Sequence, residues 1–308
     1  MKALVMSGAA NYGTMQAGAL DPIFLSGFKP ELVVGTSAGA LNAIYIAYDP
    51  SLDGVARLQD LWRAAGPKEV GIPSAIGVVR RLVRQQDSLV PGDALEAFLL
   101  RHLPQDVDTF GQLRACAGVP AFAAAVNMDT AELHVFGDRD ADRVIDGAMA
   151  STAVPPYFPP WLVGDQRYLD GGVYTKLPIR VAIDRGATQI LALDVTHAMG
   201  SKETAKGILG MTSYAVSLMV EAQGTREVAA AKASGASLRV IRLPAPTDIA
   251  FWDYTQAERL MDMGRTYATQ QLEAEPLRFS YTPWVRLRSW FASRIVKQDR
   301  VSPLIDQE

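Results

Sequence analysis

Residues 35–39 read Gly-Thr-Ser-Ala-Gly and follow the apolar run Leu32-Val33-Val34 without a gap. A strand ending there and a helix starting at Ala38 have to be joined by a sharp turn. Such a G-x-S-x-G turn pushes the serine Oγ out of the fold, and side chains do not fit two residues before or after it. Gly35 and Gly39 meet that need. The apolar helix Ala40–Ala47 then places its positive end toward any oxyanion formed beside Ser37. The pattern makes Ser37 a candidate nucleophile. The plainer reading is a tight structural turn around a buried serine.

Two further features narrow the choice. The chain opens with the short apolar strand Ala3–Met6, followed by Ser7-Gly8-Ala9-Ala10-Asn11-Tyr12-Gly13. A loop of small residues before a helix lets backbone N–H groups converge on one anion. Gly8 and Gly13 have the spacing of a Walker A loop, but Thr14-Met15 stand where that loop needs Lys and Ser/Thr. G-x-G-x-x-G is not matched either. An oxyanion hole for Ser37 fits better than a nucleotide cradle. Much later comes Asp170-Gly171-Gly172, an aspartate on a glycine turn that can present its carboxylate as a base.

In this order the motifs resemble the patatin-like phospholipase family. The segment Ala150–Pro159 is also similar to the family's stretch ahead of its aspartate. The resemblance implies a Ser37–Asp170 dyad and an oxyanion hole from the N–H groups of Gly8, Ala9, Ala10 and Ala38, with Gly13, Gly35, Gly39, Gly171 and Gly172 as supporting motif positions. It implies hydrolysis of lipid acyl esters, of the phospholipase A or lysophospholipase type, with no metal and no cofactor. The chain departs from the family at two points. Gly8-Ala9-Ala10 replaces a run of three glycines, and Tyr12 stands where the family has arginine. The departure at Tyr12 favours a second reading, a carboxylesterase or thioesterase for soluble acyl substrates. A catalytically silent lipid-binding regulator is a third, and intact Ser37 and Asp170 argue against it.

Strand-like runs at 3–6, 32–34, 121–126, 133–136, 190–195 and 238–243 alternate with helical patterns at 15–25, 38–47, 92–102, 179–185 and 211–233. Alternation of this kind predicts an α/β fold, here a three-layer α/β/α sandwich with a mostly parallel central sheet. Ligands in such sheets bind beyond the carboxyl ends of the strands, where both Ser7–Gly13 and Gly35 fall. The hydrolase domain is expected over residues 1–275 and an amphipathic extension over 276–308. That extension carries Trp284, Arg288, Trp290 and Phe291, and it either packs on the body or lies at a membrane surface. A second amphipathic stretch, Ile72–Gln86, sets Ile76, Val79 and Val83 beside Arg80, Arg81 and Arg84.

Other candidates are weaker. Among the histidines, His102 reads as a helix cap and His134 as a structural strand residue. His197 follows a strand end and is the rival base, in the order Ser37, Asp170, His197 of the α/β-hydrolases. The acidic run Asp138–Asp142 lacks the glycine and distal glutamate of a calcium loop and reads as a solvated turn. Asp129 and Glu132 flank a hairpin turn. The net charge of −3 gives no case for nucleic acid, and the single Cys116 excludes an internal disulfide. Lys2 is followed too soon by Ser7 for a secretory leader, and no run nears the ~20 apolar residues of a membrane span. These features predict a cytoplasmic protein, with peripheral membrane contact where the extension reaches lipid.

Overall fold

The computed structural model describes residues 1–196 and 206–277. His197 and the segment carrying Trp284, Arg288, Trp290 and Phe291 lie outside the described residues. The strands are β1 (Lys2–Met6), β2 (Leu32–Thr36), β3 (Ala121–Asn127), β4 (Leu133–Phe136), β5 (Trp161–Val163), β6 (Gln166–Asp170), β7 (Gln189–Thr196) and β8 (Ser237–Pro244). The helices are α1 (Gly13–Leu25), α2 (Ala38–Tyr48), α3 (Leu52–Ala64), α4 (Pro67–Val70), α5 (Ala75–Val83), α6 (Asp93–His102), α7 (Phe110–Ala117), α8 (Val144–Thr152), α9 (Ile179–Asp184), α10 (Gly207–Ser234) and α11 (Ala257–Ala274).

One sheet runs β5-β6-β3-β2-β1-β7-β8, and β4 adds to β3. Strands β3, β2, β1, β7 and β8 are mutually parallel, whereas β4, β5 and β6 join antiparallel. Strand β1 shows why the sheet is covered on both faces. Ala3 and Val5 pack into one core cluster with α9, while Leu4 and Met6 pack into another with α1, α2 and α3. A continuous apolar strand of this sort is the signature of a parallel sheet between helical layers. The predicted three-layer α/β/α arrangement is the observed one.

Helix α11 crosses α1 at backbone contact. A Cβ on Gly264 would lie 1.9 Å from the Met15 carbonyl oxygen, and one on Gly18 would lie 2.0 Å from that of Met261. Gly264→Ala is therefore expected to lower stability by roughly 2 kcal/mol or more, since neither backbone can yield without separating the helices. Gly224 in α10 has nothing within 4 Å of such a Cβ. There the same change is expected to raise stability by up to about 1 kcal/mol through helix propensity. Urea denaturation of the two variants reads the contrast, and equal effects would contradict the close crossing.

Candidate active site

Strand β2 ends in the turn that the sequence predicts. Ser37 has φ 57° and ψ −128°, a strained conformation for a residue with a side chain. The neighbouring glycines permit it. A Cβ on Gly35 would stand 2.1 Å from the Gly39 carbonyl oxygen, and one on Gly39 would stand 2.4 Å from that of Met6. The start of α2 thus sits against the end of β1, which brings the Ser7–Gly13 loop beside Ser37. Gly8 shows the proximity, because a Cβ there would be 3.4 Å from the Ser37 Cβ.

Strand β3 brings Asp170 to the same place. Its Ala124 pairs with Thr36, the residue before Ser37, and its next residue, Ala125, pairs with Asp170. Parallel β2 and antiparallel β6 therefore end at adjoining positions of one strand. Gly171 allows the approach, since a Cβ there would meet the Ala124 carbonyl oxygen at 2.4 Å. That carbonyl also accepts a hydrogen bond from Ser151 Oγ at 2.6 Å, and Ser151 Oγ accepts one from the Ser37 N–H at 2.8 Å. The Asp170 N–H donates to the Ala153 carbonyl at 2.9 Å. Ser151 thus ties the serine turn to β3. Its role does not show in the sequence, where Ser151 is one residue of the Ala150–Pro159 segment and neither its burial nor its partners are visible.

The Asp170 carboxylate is buried, accepts from the Gly172 N–H at 2.6 Å, and lies close enough to the Ser37 hydroxyl for that group to favour its charged form. Burial pushes its pKa up to about 6, against the opposing pull of these two donors. Ser37 is half-buried and so remains reachable. A carboxylate of raised basicity and a reachable hydroxyl near it can act chemically as base and nucleophile.

The predicted oxyanion donors need one correction. The Gly8 N–H already donates to the Lys176 carbonyl at 2.9 Å, so it is not available to a ligand. Among the described residues, the N–H groups of Ala9, Ala10 and Ala38 have no acceptor. Ala10 also carries a positive φ of 49°. The loop is held from below by a buried chain of side chains. Gln16 donates to both the carbonyl and the Oγ of Ser7, Asn42 donates to Gln16 and to the Gly13 carbonyl, and the Trp62 indole donates to Asn42. Gly13 is needed here, since a Cβ would press on Ala38 and Trp62 at 2.7 and 2.8 Å. Tyr12 points away from solvent and donates to the Ile249 carbonyl, and Asn11 donates to the carbonyls of Ala250 and Asp253.

A cavity of ≈ 260 Å³ lies at the end of α8, lined by Leu95, Met149, Thr152, Ala153, Phe158 and Trp161 among others, with neither Ser37 nor Asp170 in its wall. The end of α8 also reaches Ser37 and Asp170, because Ser151 accepts from the Ser37 N–H and the Ala153 carbonyl accepts from the Asp170 N–H.

The remaining candidates stand apart from these groups. His102 ends α6 and contacts the Phe98 carbonyl through Nδ1. His134 stacks between Phe136 and Tyr168, and burial lowers its pKa. Asp138 pairs with Arg185 and Asp140 with Arg114, and the described residues contain no group of side chains able to hold a metal ion. Asp129 pairs with Arg167 at the surface.

Comparison with known proteins places the chain in a family. Residues 4–183 match the model of a family described as patatin-like phospholipase. The chain is 28% identical over 194 residues to YjjU of Escherichia coli K12, covering 62% of this chain and 51% of that protein. It thus spans about half the length of the curated relative it matches. Among solved structures it is similar to VipD from Legionella pneumophila, at 14% identity and a TM-score of 0.48, covering 89% of this chain and 67% of that one. It is also similar to ExoU, in the ExoU–SpcU complex of the Pseudomonas aeruginosa type III secretion system, at 15% identity and a TM-score of 0.44, covering 98% and 59%.

Proposed function

The chain belongs to the patatin-like phospholipase family, and we propose that it is a serine acyl hydrolase that cleaves lipid esters through a Ser37–Asp170 dyad. The observation that carries the proposal is that strand β3 brings the strained Ser37 turn and a buried Asp170 carboxylate of raised pKa to adjoining positions. Ser37 Oγ attacks the ester carbonyl and passes its proton to Asp170. The N–H groups of Ala9, Ala10 and Ala38 hold the tetrahedral oxyanion, each donor contributing typically ~10²–10³ in rate. Collapse releases the alcohol, which takes the proton back from Asp170, and leaves an acyl-enzyme. Water then attacks the acyl carbon, Asp170 takes its proton, and the free acid departs as Ser37 Oγ regains that proton.

One observation favours a second reading, hydrolysis of soluble acyl esters or thioesters. Tyr12 occupies the arginine position and is bonded into the body, so the loop offers no cation to a phosphate head group. Rates on phenyl esters from acetyl to palmitoyl, and on phosphatidylcholine vesicles, separate the two. The lipid reading expects the rate to rise with chain length and vesicles to be cleaved. A preference for acetyl with no release of fatty acid from vesicles would replace it with the second.

A further inference from the structure

Helix α5 leaves its apolar side in water. Ile76 is 81% exposed and Val83 78%, with Val79 and Leu82 also exposed, and none of its described side chains is fully buried. At the 100° per residue of an α-helix these residues fall within an arc of about 120°. Arg80 and Arg84 flank that arc on one side, both exposed, and neither has an ion-pair partner among the described residues. No acidic residue occurs from Gly71 to Gln86, although the chain as a whole is net negative at −3. The next acid, Asp87, interacts with Arg167 instead. Only Arg81 turns inward, donating to the carbonyl and Oγ of Ser88 at 2.7 and 3.1 Å.

Those bonds tie the helix to the Ser88–Val90 stretch, which is bonded in turn to the segment ahead of Asp170. Leu89 and Val90 donate to the carbonyls of Pro156 and Tyr157 at 2.9 and 2.8 Å. Tyr157 stacks edge-on against Phe251, and Phe251 against the exposed Trp252. The 249–253 segment in turn receives the hydrogen bonds of Asn11 and Tyr12 from the loop beside Ser37. Just after Asp170, Val173 and Tyr174 are both more than half exposed.

We propose that α5 is the docking element by which this protein settles on an anionic lipid bilayer, its apolar arc entering the interface while Arg80 and Arg84 meet lipid phosphates. Charge complementarity selects the bilayer as occupant: an apolar stripe bordered by unpaired arginines suits the boundary between head groups and acyl chains. The proposal rests on the lipid-ester reading of the site but is tested apart from it.

The test uses the full-length protein with vesicles of ether-linked phosphatidylcholine, with and without ether-linked phosphatidylglycerol, which no ester hydrolase consumes. Wild type is expected to bind the mixed vesicles more tightly than the neutral ones, and to lose that advantage in salt. Arg80→Gln/Arg84→Gln is expected to weaken binding to mixed vesicles about 25-fold, at about fivefold per charge. Ile76→Glu/Val79→Glu is expected to weaken binding to both compositions. Thermal melts matching wild type establish that the variants fold. Wild-type binding by both variants overturns the proposal, as does a wild type that binds neither vesicle. A wild-type dimer that Ile76→Glu/Val79→Glu converts to monomer, with vesicle binding unchanged, also overturns it by assigning the stripe to a second copy. Vesicle binding that depends on α5, in a protein that cleaves no ester, would sustain the docking surface and sink the enzymatic reading alone.

Discussion

Replacing Asp170 by asparagine is expected to abolish ester hydrolysis and to make the protein more stable above pH 6. Asparagine keeps the shape and can still accept from the Gly172 N–H, but it cannot take the Ser37 proton. A loss of roughly 10⁴-fold in kcat is the expected scale for removing an acid–base partner from a nucleophile. The stability gain has a separate cause. The Asp170 carboxyl titrates near 6 in the fold, against a usual value of 3.8, because burial disfavours its charge. Below about pH 4 it is protonated in both folded and unfolded chains and costs nothing. Between pH 4 and 6 the unfolded chain ionises first, and the fold loses stability as pH rises. Above pH 6 the full penalty is present, on the order of 3 kcal/mol at about 1.4 kcal/mol per pH unit. The asparagine variant escapes it, so its melting temperature should exceed that of wild type at pH 7.5, and the two should converge by pH 4. The acid limb of kcat/KM in wild type should likewise fall near pH 6. A variant no more stable than wild type at pH 7.5 would contradict a buried, ionised Asp170.

Ser37→Ala is expected to lose roughly 10⁴-fold or more in rate, since the attacking atom is gone. Ser37→Gly should be as inactive yet more stable than wild type by about 1–3 kcal/mol, because glycine accepts φ 57°, ψ −128° without strain. Chemical denaturation of the two variants compares them directly. If alanine and glycine were equally stable, the serine turn would not be strained. Together with the Asp170→Asn result, a more stable Ser37→Gly would mean that both Ser37 and Asp170 lower the stability of the fold that holds them. Such a cost is a familiar mark of residues kept for chemistry rather than packing.

The serine turn was legible because geometry dictates its residues. Nothing larger than glycine fits at 35 and 39, where a Cβ would run into backbone at 2.1 and 2.4 Å. The strands β1, β2, β3, β4, β7 and β8 were legible as apolar runs. Strand β6 was not, because Gln-Arg-Tyr-Leu-Asp buries only Tyr168 and Asp170 and shows little alternation. Helix α11 was missed for a related reason. Its inward face includes Gly264 and Ala268, small residues that serve a close crossing and look nearly neutral in a hydropathy pattern. The engagement of the Gly8 N–H by Lys176 could not be read at all, since it joins backbone groups distant in sequence. Pairing of Ser37 with Asp170 is of the same kind. It depends on the β3 register, which places Thr36 and Asp170 at Ala124 and Ala125.

The most direct measurement is intact-mass analysis after treatment with a fluorophosphonate, on wild type, Ser37→Ala and Asp170→Asn. A single adduct on wild type, absent from Ser37→Ala and slow or absent on Asp170→Asn, is the result expected of a serine activated by Asp170. An adduct that persists on Ser37→Ala, or a folded wild type that takes none, would contradict it.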